Sequence, residues 1–501
     1  MTDAKTVVFV CSHHSGHIHP LLTLVDLFGR HGYRVYFVTS HSRRSMVESA
    51  GATFLADDLE GNDLDTVTLQ TIQDRLHLQP TEAVKGSVFF EQILPATVGY
   101  FRPENDLIGR IQQVQPSFMV CDVSALWGVV IAKYVLSVPL ITSCSCSLMD
   151  TKTIEGACGY LTGIDFLIKS KQWLLDNVPI HQSLENNKEG LDSYDIRFSY
   201  LNESKFMICW SFKDFQECDT SKREAPHVHY FGAAMPRNIT ERLAQQTQDM
   251  NKPENDSSLA DFVNQARAQK KRLVFISLGT VVGQEKWTLQ GAKEDMVASF
   301  YRRLFTVLGE IDGDSAHESA KDNLGGKDFA CILSIGKTRS VSDFDDPTTG
   351  CSTIPSNFYV ASFVPQIWVL SQVDAFVTHC GNNGVHEAMF FGVPMLCIPC
   401  FGDQHGNAKI IADRHIGVQI PSPFAPAPSS NLDHVTTGLL CQKMKELLVE
   451  RNEEIVSSCK KVQSNLGELY RYLHGDGDSG GAFADMQKFV NEEASHLTPS
   501  S

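Results

Sequence analysis

The densest run of residues able to do chemistry spans 363–407, FVPQIWVLSQVDAFVTHCGNNGVHEAMFFGVPMLCIPCFGDQHGN. AFVT (375–378) reads as a short buried strand, HCGNNG as the turn that leaves it, and VHEAMFF as the start of a helix. That order puts the backbone N–H groups of Asn383 and Gly384 at a helix N-terminus, where they attract an anion. The small residues of the turn, Gly381 among them, let a phosphate reach the backbone. His379, at the strand end, is placed to donate to the same anion. Glu387 follows Asn383 by four positions and shares its helix face. A carboxylate there repels phosphate but accepts the hydroxyls of a sugar such as ribose. Gly402-Asp403-Gln404 closes the next apolar strand, and an acid beside an amide suits a second polyhydroxyl group. With the ring of Phe363 at one end, the series is ring stacker, phosphate, ribose and second sugar, which is a nucleotide sugar.

A second cluster, SHHSGHIHP (12–20), holds His13, His14, His17 and His19 within seven residues. Imidazoles ligate metals, but no cysteine or carboxylate at ligand spacing accompanies these four, so the metal reading is set aside. The acid pairs Asp63/Asp65, Asp312/Asp314, Asp343/Asp345 and Asp476/Asp478 lie in polar stretches and read as solvated loops. Cys144 and Cys146 are too closely spaced for a redox CxxC and read as buried thiols.

The elements that must position these groups alternate. Val7–Cys11 is an apolar strand, followed by a loop and a helix opened by Pro20 and closed near Gly32. Tyr33–Thr39 and Ala52–Leu55 are strands around a helix at Ser42–Ala50, which makes a βαβαβ unit and predicts a parallel sheet. A strand at Ser117–Cys121, a helix at Leu126–Val135 and a strand at Pro139–Ser143 continue it. RLVFISLGT (272–280) restarts the pattern, with further strands at Phe329–Ile335, Phe358–Ser362, Ala375–Thr378 and Met395–Ile398. The stretch from 236 to 270 is polar and reads as a linker with a helix after it. Residues 310–327 and 338–353 read as surface loops. GAFADMQKFV (481–490) places Phe483, Met486, Phe489 and Val490 on one helical stripe. The expected division is 1–240, a linker at 241–270, a second domain at 271–478, and a terminal helix at 479–501.

At 501 residues the chain suits two domains, and 42% apolar with 20% charged residues is a globular composition. A formal charge of −16 argues against a nucleic-acid binder or an anionic-membrane binder. The opening MTDAKTVVFVCSHHSG lacks the pattern of a secretory leader, and no apolar stretch reaches membrane-spanning length. Fourteen cysteines in that context read as reduced thiols of a cytoplasmic protein.

Residues 363–407 resemble the donor-binding signature of the UDP-dependent glycosyltransferases, family 1. The resemblance is dense at 6–40, 117–143, 272–283 and 358–417. It implies an α/β fold of the GT-B type, two facing Rossmann-like domains with a cleft between them. The N-terminal domain would hold the acceptor and the C-terminal domain the UDP-sugar. It also implies residue roles. Phe363 stands where the family has a Trp stacked on uracil, and Gln366 matches a Gln beside the ribose. His379 matches the diphosphate contact, with Gly381, Asn383 and Gly384 in the phosphate turn. Glu387 matches the ribose carboxylate, and Asp403 and Gln404 match the pair that holds the transferred sugar. Thr280, which ends SLGT, matches a phosphate-side loop residue. Gly16-His17-Ile18-His19-Pro20 resembles the family's catalytic loop, with His17 as general base and Asp122, at the end of FMVCD, as its partner. The spacing of sixteen from Phe363 to His379 is two shorter than in plant and animal members and is like that of bacterial macrolide-type enzymes.

The expected activity is an inverting transfer of a sugar, glucose first among candidates, from a UDP-sugar to a hydroxyl of a small lipophilic acceptor. No metal or other cofactor and no nucleic acid or membrane anchor is expected, and the chain is expected to act as a monomer. The acceptor pocket is expected in the loops 84–101 and 146–203. The alternatives are a GT-B-fold UDP-sugar epimerase or glycan-assembly enzyme, and a nicotinamide oxidoreductase. The last lacks a GxGxxG after either first strand.

Overall fold

The computed structural model describes residues 4–11, 15–57, 106–123, 125–145, 205–215, 228–250, 258–279, 296–310, 323–337, 339–344, 353–400, 403–420, 432, 434–475 and 481–497. Thr280, His13, His14, Cys146, the loops 84–101 and 146–203, and the pairs Asp63/Asp65, Asp312/Asp314 and Asp476/Asp478 lie outside the described residues, as does Asp345. Two compact units emerge: Met1–Ala234 together with Leu469–Ser501, and Met235–Glu468.

The first unit runs β1 (Thr6–Val10), α1 (Ser15–Arg30), β2 (Arg34–Thr39), α2 (Arg44–Ser49), β3 (Thr53–Ala56), α3 (Leu107–Gln113), β4 (Phe118–Asp122), α4 (Leu126–Val130), β5 (Leu140–Cys144), β6 (Met207–Cys209) and β7 (Val228–Tyr230). The strands form one sheet in the order β3-β2-β1-β4-β5-β6-β7, and every pair in it is parallel. β1, β4 and β5 are buried along their whole length, as a sheet covered on both faces requires. Phe9, Phe28, Phe37 and Phe118 pack on one face, and Val8, Val10, Met119 and Trp127 on the other.

α1 departs from the sequence expectation. It begins at Ser15, so Pro20 lies inside it rather than at its start. Pro20 has no N–H for the carbonyl of Gly16, one turn back, and the flexible glycine is where that loss falls. The earlier start places His17 in the first helical turn.

The second unit runs α5 (Ile239–Met250), α6 (Ser258–Ala268), β8 (Arg272–Ser277), α7 (Met296–Leu308), β9 (Phe329–Ser334), β10 (Phe358–Ala361), α8 (Gln366–Leu370), β11 (Ala375–Thr378), α9 (Asn382–Phe390), β12 (Met395–Cys397), α10 (Gln404–Asp413), β13 (Gly417–Gln419) and α11 (Thr437–Lys445). Its strands are ordered β10-β9-β8-β11-β12-β13, again all parallel. The stretch read as a linker holds α5 and α6. α5 is anchored where Trp368 Nε1 donates to Thr247 Oγ1 at 2.9 Å, a contact its polar composition does not reveal.

The last helices are α12 (Asn452–His474) and α13 (Ala482–Leu497). Ala482, Met486 and Val490 are buried in the core of the first unit with Phe28 and Phe118. The Phe483 ring stacks on His31 at 3.6 Å, Phe489 meets Phe206 at 5.3 Å, and Lys205 Nζ pairs with Glu493 at 3.0 Å. None of the described helices is long and apolar enough to cross a membrane.

Met486 is fully buried, so Met486→Ala removes thioether contacts and leaves a void. The expected cost is about 2–5 kcal/mol, read as a lower urea midpoint with tryptophan fluorescence. An unchanged midpoint would mean that the C-terminal stripe is dispensable to the first unit.

Candidate active site

In each sheet the strand order reverses beside the first strand, between β1 and β4 and between β8 and β11. Loops leaving the carboxyl ends of those two strands diverge there and open a crevice suited to ligands. His17 and Asp122 lie at the first of these switch points and His379 at the second, while Phe363 follows β10 and Asp403 and Gln404 follow β12.

In the first unit, Asp122 ends β4 and its carboxyl has no exposed surface. His17 enters from the first turn of α1 and keeps 28% of its side chain exposed. Its Nδ1 lies 2.7 Å from Asp122 Oδ1. A carboxylate only accepts, so Nδ1 carries a proton, and in the neutral ring Nε2 presents a lone pair. Ser145, one residue past β5, places Oγ 2.8 Å from the same Nδ1 and 3.4 Å from Asp122 Oδ2. His19 is exposed, and no group of three or more His, Cys, Asp or Glu able to hold a metal ion occurs among the described residues.

In the second unit, His379 follows β11 and its ring is wedged between two backbone strips. A Cβ on Gly279 would fall 2.3 Å from His379 Cε1, and one on Gly381 would fall 2.5 Å from Nε2. Gly279 also sits at φ +71. Both positions therefore require glycine if the ring is to keep its place. Burial lowers the His379 pKa to about 4, against a weaker opposite pull from a backbone hydrogen bond to Ser277. The imidazole is thus neutral at ordinary pH. Its Nδ1 is buried without a hydrogen-bond partner among the described residues. It can offer an N–H or a lone pair to a ligand, but not a cation.

Gly381 is the N-cap of α9, in extended backbone, and Asn383 and Gly384 lie in the first helical turn, partly exposed. Cys380 before them adopts φ +67, a left-handed turn that redirects the chain into the helix. Gln366, the first residue of α8, donates through Nε2 to Glu387 Oε2 at 2.6 Å. Burial raises the Glu387 pKa to about 7, and the Gln366 hydrogen bond opposes that rise. Phe363 is 69% exposed, a large ring facing solvent where a core residue would be covered. Asp403 is the N-cap of α10, and Gln404 is its buried first residue. The Gln404 Oε1 accepts from the backbone N–H of Cys400 at 2.8 Å, so this amide fixes the strand end as well as bordering the site.

Two residues in these clusters escape sequence reading. Ser145 is one. The other is Asn407, which is fully buried and donates through Nδ2 to the carbonyl of Cys380 at 3.0 Å, with Asp403 Oδ2 at 3.4 Å. It ties the turn before α9 to the acid before α10. Its place four residues after Asp403 on a helix is the only signal the sequence carries.

Residues 343–425 match the family model described as UDP-glucoronosyl and UDP-glucosyl transferase. The NDP-glycosyltransferase YjiC of Bacillus subtilis (strain 168) is 23% identical over 486 residues, 96% of each chain. The UDP-glucose flavonoid 3-O-glucosyltransferase 7 of Fragaria ananassa is 33% identical over 139 residues, 26% of this chain and 28% of that one. The solved glycotransferase of kitacinnamycin superposes with a TM-score of 0.60 at 19% identity, covering 98% of this chain and 100% of that one. That likeness is one of fold, two Rossmann-like domains of the GT-B class.

Two outcomes are expected of this geometry. Gly279→Ala would force the His379 ring out of its slot and strain the backbone. UDP affinity measured by calorimetry should fall at least about tenfold, the effect of one charge-assisted hydrogen bond; unchanged affinity would show that His379 does not meet the ligand. The second outcome concerns pH. Hydroxyls of a ribose held at Glu387 would meet two charged acceptor oxygens when it is ionised but only one neutral acceptor when it is protonated, and its pKa in the free protein is about 7. Ligand affinity should therefore rise with pH through 7 and level off above it. UDP-glucose has no phosphate that titrates in this range and is the ligand to use. Glu387→Gln should flatten the curve; a curve unchanged by that substitution would sink the assignment.

Proposed function

We propose that this chain, which belongs to the UDP-dependent glycosyltransferase family, moves glucose from UDP-glucose to a hydroxyl of a small lipophilic acceptor, with inversion at the sugar. The observation that carries the reading is the His17–Asp122 pair: a fully buried carboxylate 2.7 Å from Nδ1 of a partly exposed imidazole.

An alcohol holds its proton tightly, and a neutral imidazole Nε2 can remove it as attack proceeds. The imidazolium that forms needs an anion at Nδ1, and Asp122 is already there. In the second unit the leaving diphosphate would be met by the N-terminus of α9, at Asn383 and Gly384, and by the neutral His379. Thr280 is assigned the same task from the family pattern. Gln366 and Glu387 would hold the ribose, Phe363 would stack on uracil, and Asp403 and Gln404 would hold the glucose. Dipoles and N–H groups aimed at the developing charge supply the stabilisation that a cation would otherwise give, and no metal is assigned. One displacement on an α-linked donor gives a β-glycoside. Glucose and an aromatic or sterol-like hydroxyl are favoured because the relatives carry names such as UDP-glucose flavonoid 3-O-glucosyltransferase and sterol 3-beta-glucosyltransferase.

A panel of UDP-sugars crossed with phenols and sterols, read by mass spectrometry, tests the activity. Product formation should persist in EDTA. Thermal shift should give about 2.7 kcal/mol of stabilisation at roughly 100-fold excess of UDP over its Kd, and none with NAD. UDP-sugar isomerised without any acceptor would favour an epimerase instead. His17→Ala should lower kcat by about 10²–10⁴ with little change in UDP affinity. Asp122→Asn should keep the geometry and still lose rate, because an amide does not stabilise the imidazolium. Both losses should shrink for acidic phenols. An α-linked product, or normal turnover of an aliphatic alcohol by His17→Ala, would overturn the mechanism.

A further inference from the structure

We infer that Ser145 is a third, positioning member of the His17–Asp122 pair, which holds the acid and the tautomer of the base in place at rest and contributes most when the base takes a proton. This rests on the reading of His17 as base and Asp122 as its partner.

Nδ1 of His17 has two oxygens at hydrogen-bond distance, Asp122 Oδ1 at 2.7 Å and Ser145 Oγ at 2.8 Å. The carboxylate has no proton to give, so the N–H of Nδ1 points to it. Ser145 Oγ then faces that same N–H as a second acceptor. Its own proton is left to donate, and Asp122 Oδ2 lies 3.4 Å away. The three side chains close a ring of polar contacts, with Nδ1–H shared by Oδ1 and Oγ, and Oγ–H turned to Oδ2.

The placement distinguishes this ring from a nucleophilic serine. A serine activated by histidine bonds to the nitrogen opposite the acid. Here serine and acid both face Nδ1, so Nε2 is the nitrogen that serves the acceptor, and Ser145 forms no covalent intermediate.

Its position is also built. Ser145 is only 6% exposed. It continues β5, whose end is held on both sides: Val123 N–H donates to the Ser143 carbonyl at 3.0 Å, and Trp210 N–H donates to the Cys144 carbonyl at 3.1 Å. The indole N–H of Trp210 adds a bond to Ser143 Oγ at 2.9 Å. Asp122 and Ser143 are register partners of β4 and β5, so Ser145 lies just beyond the acid on the neighbouring strand.

A carboxylate removed from water needs donors for both oxygens. Ser145 supplies one to Oδ2 and restrains rotation of the carboxyl, which keeps Oδ1 aligned with Nδ1. Once Nε2 is protonated the ring carries a full charge, and the two oxygens at Nδ1 share its stabilisation. Removing the hydroxyl therefore weakens the charged state more than the resting state.

The test uses the full-length enzyme with UDP-glucose and an aliphatic alcohol. Ser145→Ala should lower kcat about 10–100-fold, the weight of one hydrogen bond to a charged group. UDP affinity should stay within about twofold, since the chemistry and not the donor is touched. Ser145→Thr restores a hydroxyl and should recover most of the rate. In the His17→Ala background, Ser145→Ala should cost nothing further, because the partner it supports is gone. Wild-type turnover by Ser145→Ala beside a crippled His17→Ala would overturn this inference while leaving the base intact. Loss of UDP affinity in step with rate, a Ser145→Thr variant as slow as Ser145→Ala, or additive losses in the double variant would each overturn it too. Full activity of His17→Ala would instead remove the reading beneath it.

Discussion

Among the described residues every ladder in both sheets is parallel, and the placement of the candidate site follows from that constraint. Parallel strands bring all carboxyl ends of a sheet to one edge, and crossovers on both faces bury the strands between them. Charged groups are costly to bury within such strands, so they gather where the strands stop. Asp122, Ser145 and His379 each lie at or just past a strand end, and Asp403 caps the helix that follows β12. The reversal of strand order beside β1 and β8 spreads the neighbouring loops, which lets His17 reach Asp122 and lets Gly279 approach His379.

The two units place a histidine at opposite electrostatic problems. In the first, the proposed reaction asks a buried acid to meet a charge that appears on the imidazole, and Asp122 already faces Nδ1. In the second, the proposed donor asks a chain of net charge −16 to meet an anion. A cationic His379 would be attracted to phosphate but costly to bury, and burial indeed pushes its pKa to about 4. What the turn offers instead is oriented N–H groups at the start of α9, a device that needs no counter-ion and no reorganisation. Glu387 beside it stays near neutrality for the same reason, burial, and is steadied by the amide of Gln366.

How much of this is readable in sequence depends on contact range. The strands that carry the site are apolar runs bounded by glycine or polar turns, and nearly all are legible. The spacing of His379, Asn383 and Glu387 is local and falls on one turn and one helix, so it too can be read. His17 and Asp122 stand 105 positions apart, and only the family pattern suggests the pairing. Ser145 is one of several serines in SCSCS, and nothing local separates it from the rest; its meaning comes from the pairing of β4 with β5. Asn407 is nearly as silent: its spacing from Asp403 is local, but its partner Cys380 is 27 residues away. Polarity misleads at α5, where the sequence suggests a linker and a tryptophan contact holds a helix. Pro20 misleads at α1, because a proline inside a helix is outvoted by the packing of Leu21, Leu24 and Phe28 in the core.

Asn407 and Ser145 share a logic that bears on how such a site is held. Each is a small polar side chain, nearly or fully buried, that makes contacts to two neighbouring functional segments. A buried hydrogen-bonding group is tolerated only when its capacity is used, which makes its geometry stricter than that of an exposed ligand-binding side chain. Exposed groups such as Phe363 can adjust to a ligand. The buried pair cannot, and it sets the frame within which they move. Precision here is thus supplied from beneath the site, by residues that need never touch the sugar or the acceptor.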